Sequence, residues 1–316
     1  MNICLINASQ PRGGNNDSYV DFRSYTTYED AKWRSWHSIP CSLKSEFFAY
    51  NGQSFHECYK YDAFIVLFNH DPEHLIPFIK KLKLMGKKVA VGYHESFEDL
   101  MQKCSSDFGW LSGAKKLVKE SDFYLNVCPS YKETIDLLFE KKSVYTYHAA
   151  PGGIYDHLKK SLDKREGVMI STRTFSQRIK RNTLWSLLEA NEYCKKNDTF
   201  FTFVCEDNLN NLPSFENMKL INGPLDYNSW LELISNHKFV YGRDEASTLG
   251  QVMLDAAIVG VPAFGGNSEN AKVVRSCNDI WSIDYDRDYT FKADILAGRC
   301  SMENIADNIR KAFGSA

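Results

Sequence analysis

The chain of 316 residues has little excess of charge of either sign, with 38 Lys and Arg against 40 Asp and Glu and a formal charge of −2. No global positive field therefore draws it to nucleic acid or to an anionic membrane, although local basic patches stay open. It contains no run of about 18 apolar residues, so no membrane-spanning helix is expected. The N-terminus, MNICLINASQ, lacks a basic region, and its apolar run of about half a dozen residues is too short for a secretory leader. A cytoplasmic location is expected, with peripheral membrane contact left open. The nine cysteines, at 4, 41, 58, 104, 128, 194, 205, 277 and 300, form neither a C-x-x-C pair nor a His/Cys cluster, and they read as reduced thiols, most of them small core hydrophobes. Neither half holds G-x-G-x-x-G, which leaves a dinucleotide site of the dehydrogenase kind without support.

What the chain does have is 43% hydrophobic residues in short apolar runs that alternate with amphipathic stretches over its whole length. That is the pattern of strands and helices taking turns in a mostly parallel sheet, so the expected class is α/β. Expected strands in the first half are Ile3–Asn7, Ala63–Asn69, Lys88–Tyr93, Phe123–Val127 and Ser143–His148. Helices are expected over His74–Met85, closed by Gly86, and over Lys132–Phe139. The segment from Pro151-Gly152-Gly153 to Gly167 is the best linker. After it the alternation restarts: Val168–Thr172, a helix over Arg181–Lys195, Phe200–Cys205, Lys219–Asn222, a helix over Asn228–Ser235, His237–Tyr241, a helix over Gly250–Val259, Pro262–Gly265 and a terminal helix over Met302–Phe313. Two sets of about 150 residues describe two Rossmann-like domains facing a cleft, 1–155 and 156–316.

The most informative stretch is Tyr241–Asn270, YGRDEASTLGQVMLDAAIVGVPAFGGNSEN. It reads as a strand, a polar loop, a helix from Gly250, a turn, a short strand and a glycine loop opening another helix. Two helix N-termini then point at one cleft, where free backbone N–H groups can receive phosphate or sugar oxygens. The stretch resembles a segment of retaining GT-B glycosyltransferases of the family 4 kind, E-G-F-G-L-P-V-L-E-A-M-A-x-G-x-P-V followed by G-G-x-x-E. Gly250, Leu254-Asp255-Ala256, Gly260, Pro262, Gly265-Gly266 and Glu269 carry the match. The resemblance implies that Asp255 accepts hydrogen bonds from the ribose hydroxyls of a nucleotide. Ser247 stands where the family has its sugar-contacting acid, and a two-residue insertion would bring Glu245 there. The resemblance also implies that Ser247, Thr248, Leu249 and Gly250 bind the donor.

Four further segments follow the same family order. Arg173 and Arg178, spaced by five, match a basic pair that holds the diphosphate and neutralises the leaving group; a guanidinium fork suits that task because it binds two phosphate oxygens and keeps its charge. Gly13 and Gly14, in NASQPRGGNN after the first strand, resemble a loop that brings backbone amides to the donor phosphate and sugar. His94 ends the strand KKVAVGYH at the place of a histidine that approaches the sugar ring, and Gly223 in LINGPLD resembles a turn near the base.

The resemblance implies transfer of a sugar from a nucleotide-diphosphate donor, with uridine as base, to an acceptor hydroxyl, with retention and without a metal or other cofactor. Catalysis would be electrostatic stabilisation of the leaving diphosphate. The acceptor is unread: a glycan, a lipid-linked or small molecule, or DNA. For DNA, phage glucosyltransferases of the same fold open their second domain with an Arg followed by Gln-Arg, as Arg173 and Gln177-Arg178 do here, and residues 17–60 are rich in aromatics that could stack on a sugar or base. A catalytically weak nucleotide-sugar-binding protein and a nucleotide-sugar epimerase are the alternatives.

Overall fold

A computed structural model describes residues 1–8, 19–21, 38–49, 58–93, 96–150, 153–170, 182–205, 214–243, 250–274 and 279–315. The chain divides into two units. The first is built on β1 (Ile3–Ala8), β2 (Tyr19–Asp21), α1 (Ser38–Ser42), β3 (Glu46–Ala49), β4 (Ala63–Phe68), α2 (Pro72–Leu84), β5 (Lys88–Tyr93), α3 (Phe97–Ser106), α4 (Phe108–Glu120), β6 (Phe123–Asn126), α5 (Lys132–Phe139) and β7 (Ser143–Tyr145). Its sheet has the order β2-β3-β1-β4-β5-β6-β7 and is parallel except for β2. β4 lies at the centre and is buried along its whole length, which is why AFIVLF is a continuous apolar run and not an alternating one.

Local chemistry sets the helices. Asp71 caps α2 by accepting from the His74 N–H at 3.2 Å, Pro72 occupies the first turn where its missing N–H costs nothing, and Leu75, Ile79 and Leu82 face the core. Asp107 ends α3 and caps α4 in one residue, accepting from the Trp110 N–H at 2.8 Å.

The second unit, Ala150–Ser301, holds β8 (Val168–Ile170), α6 (Thr183–Lys196), β9 (Phe201–Cys205), β10 (Met218–Asn222), α7 (Tyr227–Ser235), β11 (Phe239–Tyr241), α8 (Gln251–Ile258), β12 (Ala263–Phe264), α9 (Glu269–Val273) and α10 (Thr290–Arg299). Its five strands are all parallel in the order β10-β9-β8-β11-β12. Val168, Ile170, Phe201, Phe203, Phe239 and Tyr241 from the strands pack with Leu187, Ala190 and Cys194 of α6 in one core.

The last helix, α11 (Met302–Ser315), belongs to the first unit. Phe313 is fully buried with its ring centroid 4.9 Å from that of Phe123, and its carbonyl accepts from Lys88 Nζ at 2.6 Å. A linear division at 155/156 assigns this helix to the second domain; the contacts return it to the first. Among the described residues, no helix is long and apolar enough to cross a membrane.

Candidate functional site

In the second unit the chain runs outward from β8 to β9 and β10, then crosses back to lay β11 on the other side of β8 and β12 beyond it. The reversal falls between β8 and β11, which pair as Phe239↔Val168, Val240↔Met169 and Tyr241↔Ile170. In parallel α/β sheets the crevice outside the carboxyl ends of the strands, at such a reversal, is where ligands bind. The segments that leave these two strands are 171–181 and 242–250, the stretches that contain Arg173 and Arg178, and Glu245 to Gly250. The turn after β12 leaves the sheet at the same edge.

Two glycines let the backbones close up there. Gly265, at φ +77°, lies so near the β11 exit that a Cβ on it would sit 2.3 Å from the Gly242 carbonyl oxygen, and Gly242 N–H donates to the Phe264 carbonyl at 3.2 Å. Gly250, also at φ +77°, precedes α8, and a Cβ there would lie 2.2 Å from Ser268 Oγ. The Gly250 carbonyl accepts from Asn270 Nδ2 at 3.1 Å, while Ser268 Oγ caps α9 by accepting from the Ala271 N–H at 3.1 Å. The start of α8 is thus locked to the start of α9. Glu269 is buried and paired with Lys272 at 3.0 Å.

Asp255 is one turn into α8 and 3% exposed. Its Oδ1 accepts from the Tyr227 hydroxyl at 2.9 Å and from Gln251 Nε2 at 2.8 Å, and its Oδ2 accepts from Trp230 Nε1 at 2.9 Å. Three protein donors therefore engage a carboxylate that has about four acceptor sites in all. The arrangement ties the first turn of α7 to the first turn of α8. Gly223, at φ +97° with open space around its Cα, follows β10 and leads through Asp226, the cap of α7, toward Tyr227.

At the exit of β11 the structure adds side chains that sequence reasoning did not single out. Glu189 of α6 accepts from the Tyr241 hydroxyl and, at 2.7 Å, from Arg243 Nη1. The Arg243 N–H donates to Ser186 Oγ at 2.9 Å, and its guanidinium carbon lies 5.8 Å from the Trp185 ring centroid. Burial and the Glu189 carboxylate both push the Tyr241 hydroxyl up, so it stays protonated as a donor. The dipeptide Gly242-Arg243 was visible in the motif stretch, but its partner is 54 residues away on another element.

Of the residues expected to form the site, Gly223, Gly250 and Asp255 lie in the second unit as given above. Gly13, Gly14, His94, Arg173, Arg178, Glu245, Ser247, Thr248 and Leu249 lie outside the described residues.

No protein-family model matches the chain, and no curated protein matches its sequence. Solved structures do. The chain is similar to α,α-trehalose 6-phosphate synthase from Burkholderia multivorans, at TM-score 0.57 and 9% identity over 99% of this chain and 96% of that one. It is similar to an α-glucosyltransferase in complex with UDP-glucose and DNA containing an abasic site, at TM-score 0.53 and 12% identity over 100% and 98% of the two chains. A third likeness, to the pneumococcal O-GlcNAc transferase GtfA in complex with UDP and GlcNAc, has TM-score 0.54 and 12% identity over 80% of this chain, which spans 56% of GtfA. What the chain shares with these proteins is the GT-B fold, two α/β units each with its own mostly parallel sheet.

Proposed function

We propose that the protein is a glycosyltransferase that moves a sugar from a nucleotide-diphosphate donor, a UDP-sugar, to an acceptor hydroxyl. The observation that carries this reading is the origin of the two motif-bearing segments: they leave neighbouring parallel strands, β8 and β11, at the carboxyl edge where the strand order reverses. The comparisons support it at the level of fold, since three proteins of that fold are named as sugar transferases or a sugar-phosphate synthase, two of them with UDP or UDP-glucose bound.

In this reading Arg173 and Arg178 hold the diphosphate, and the N-terminal amides of α8 beyond Gly250 add their dipole. Both stabilise the charge that develops as the diphosphate departs, so that the reaction calls for no metal. Glu245 or Ser247, with Thr248 and Leu249, contacts the donor sugar. The motif resemblance also assigns Gly13, Gly14 and His94 to the donor, and Gly223 to the base. Asp255 acts on the ribose side by fixing Tyr227, Trp230 and Gln251, and retention of configuration is what the motif resemblance implies.

A thermal-shift panel of nucleotide diphosphates and nucleotide sugars, run on the wild type and on Arg173→Ala/Arg178→Ala, tests this. A ligand at about 100 times its Kd stabilises by roughly 3 kcal/mol and raises Tm by a few degrees. One nucleotide should shift the wild type and not the double variant. Absence of any shift in the wild type would remove the reading. The full-length likeness to an α-glucosyltransferase holding DNA favours DNA as a second acceptor to assay, against a net charge of −2 that gives no general attraction to it.

A further inference from the structure

Arg243 is the second residue after β11 and is anchored to the edge of the sheet at three points. Its N–H is held by Ser186 Oγ at 2.9 Å, its Nη1 by Glu189 Oε1 at 2.7 Å, and its guanidinium lies along the Trp185 ring at 5.8 Å. All three anchors come from the first two turns of α6, the helix that follows the segment leaving β8. The side chain nevertheless keeps 40% of its surface exposed, and Glu189 is the carboxylate paired with it among the described residues.

A guanidinium carries five N–H donors in a planar fork. One is spent on Glu189, and that carboxylate is shared with the Tyr241 hydroxyl, which disperses its charge. The rest of the fork is fixed in orientation, cationic and open to solvent, beside the strand pair at which the order of the sheet reverses. A fork held in this way is matched by two oxygens of a phosphate. A cation serving solubility alone needs no such fixing, since exposed charges are effective while mobile and holding a long side chain costs entropy.

We propose that Arg243 binds the diphosphate of the nucleotide donor, and that Ser186, Glu189 and Trp185 are positioning residues for it. The proposal rests on the nucleotide-diphosphate reading. It assigns binding and stabilisation of leaving-group charge to this side chain and adds no covalent step.

The test is isothermal titration of the full chain with UDP and with uridine, which carries the base and ribose but no phosphate. Arg243→Gln should weaken UDP by about 10- to 100-fold, the range for charge-assisted hydrogen bonds, and leave uridine within about twofold of wild type. The salt dependence of UDP affinity should become shallower in the variant. Arg243→Lys, which retains the charge without the fork, should recover part of the loss and serves as the readout if Arg243→Gln fails to fold. Ser186→Ala, which removes one anchor, should cost UDP a few-fold and uridine nothing. The proposal is overturned if the Gln variant, or the Lys variant where only that one folds, binds UDP as the wild type does, or if UDP and uridine weaken alike, which marks a merely structural side chain. A wild type that binds uridine and UDP equally would overturn it too, while one that binds neither would fail the nucleotide reading first and the role of Arg243 with it.

Discussion

His237 precedes β11 and is 3% exposed, with Nδ1 2.8 Å from the Leu233 carbonyl and Nε2 2.7 Å from Thr202 Oγ1. Those partners fit a neutral ring that donates from Nδ1 and accepts at Nε2. Burial pushes the imidazole down to about 4, the Leu233 carbonyl opposing the fall and the Lys219 cation adding to it. In the unfolded chain the same ring titrates near 6.5. Because the native value is the lower one, the unfolded state binds the proton first as pH falls. The contribution is complete above about pH 6.5 and drains away between there and pH 4. Weighing the two titrations gives a loss of about 2 kcal/mol at pH 5 relative to pH 8. Carboxylates whose values are lowered, such as Asp136 and Asp288, titrate below this window and are common to wild type and variant. The perturbation is His237→Gln, and the assay is urea unfolding followed by tryptophan fluorescence at pH 8 and pH 5. The variant should be less stable at pH 8, and the gap to wild type should close by about 2 kcal/mol at pH 5. A gap constant to within about 0.5 kcal/mol would refute the buried neutral ring, as would an NMR titration of His237 with its midpoint above pH 6.

Two further substitutions probe the edge of the second sheet. Gly265→Ala places a Cβ 2.3 Å from the Gly242 carbonyl at φ +77° and should cost at least about 2 kcal/mol, read as a fall in Tm, together with loss of nucleotide binding. Asp255→Leu removes the buried carboxylate to which the Tyr227 hydroxyl, the Trp230 indole and the Gln251 amide donate and should cost roughly 3 kcal/mol in urea unfolding; Asp255→Asn, which keeps one carbonyl oxygen, should recover part of it.

Apart from β2 and β3, the strands of both sheets were legible because parallel strands buried on two faces are written as short, mainly apolar runs, as AFIVLF and FTFVC are. α2 and α7 were legible through their periodic apolar faces, and α2 also through the Gly86 that closes it; the aspartates that cap them, Asp71 and Asp226, emerge from the structure. β3 was not: EFFA is only four residues long and opens on Glu46, a buried carboxylate that accepts from the Tyr61 hydroxyl, so it offers too short an apolar run to stand out. α3 and α4 blur into one another because Asp107 serves both. The position of Asp255 on its helix was readable, but its burial was not, since Tyr227 and Trp230 stand 28 and 25 residues earlier on a different helix. The Glu189–Arg243 pair was hidden for the same reason. Helical periodicity marked α11 as a helix and could not say which core it covers, because an apolar face carries no address.

The return of α11 makes the two units unequal as pieces of chain. Among the described residues the second unit is drawn from Ala150–Ser301 alone, whereas the first is assembled from both sides of it. During synthesis the second unit can complete its core as soon as its own residues have emerged, while the first must wait for the final helix. A fragment ending at Ser301 would keep the described core of the second unit, and would leave Phe123 without the Phe313 ring and Lys88 without the carbonyl it holds.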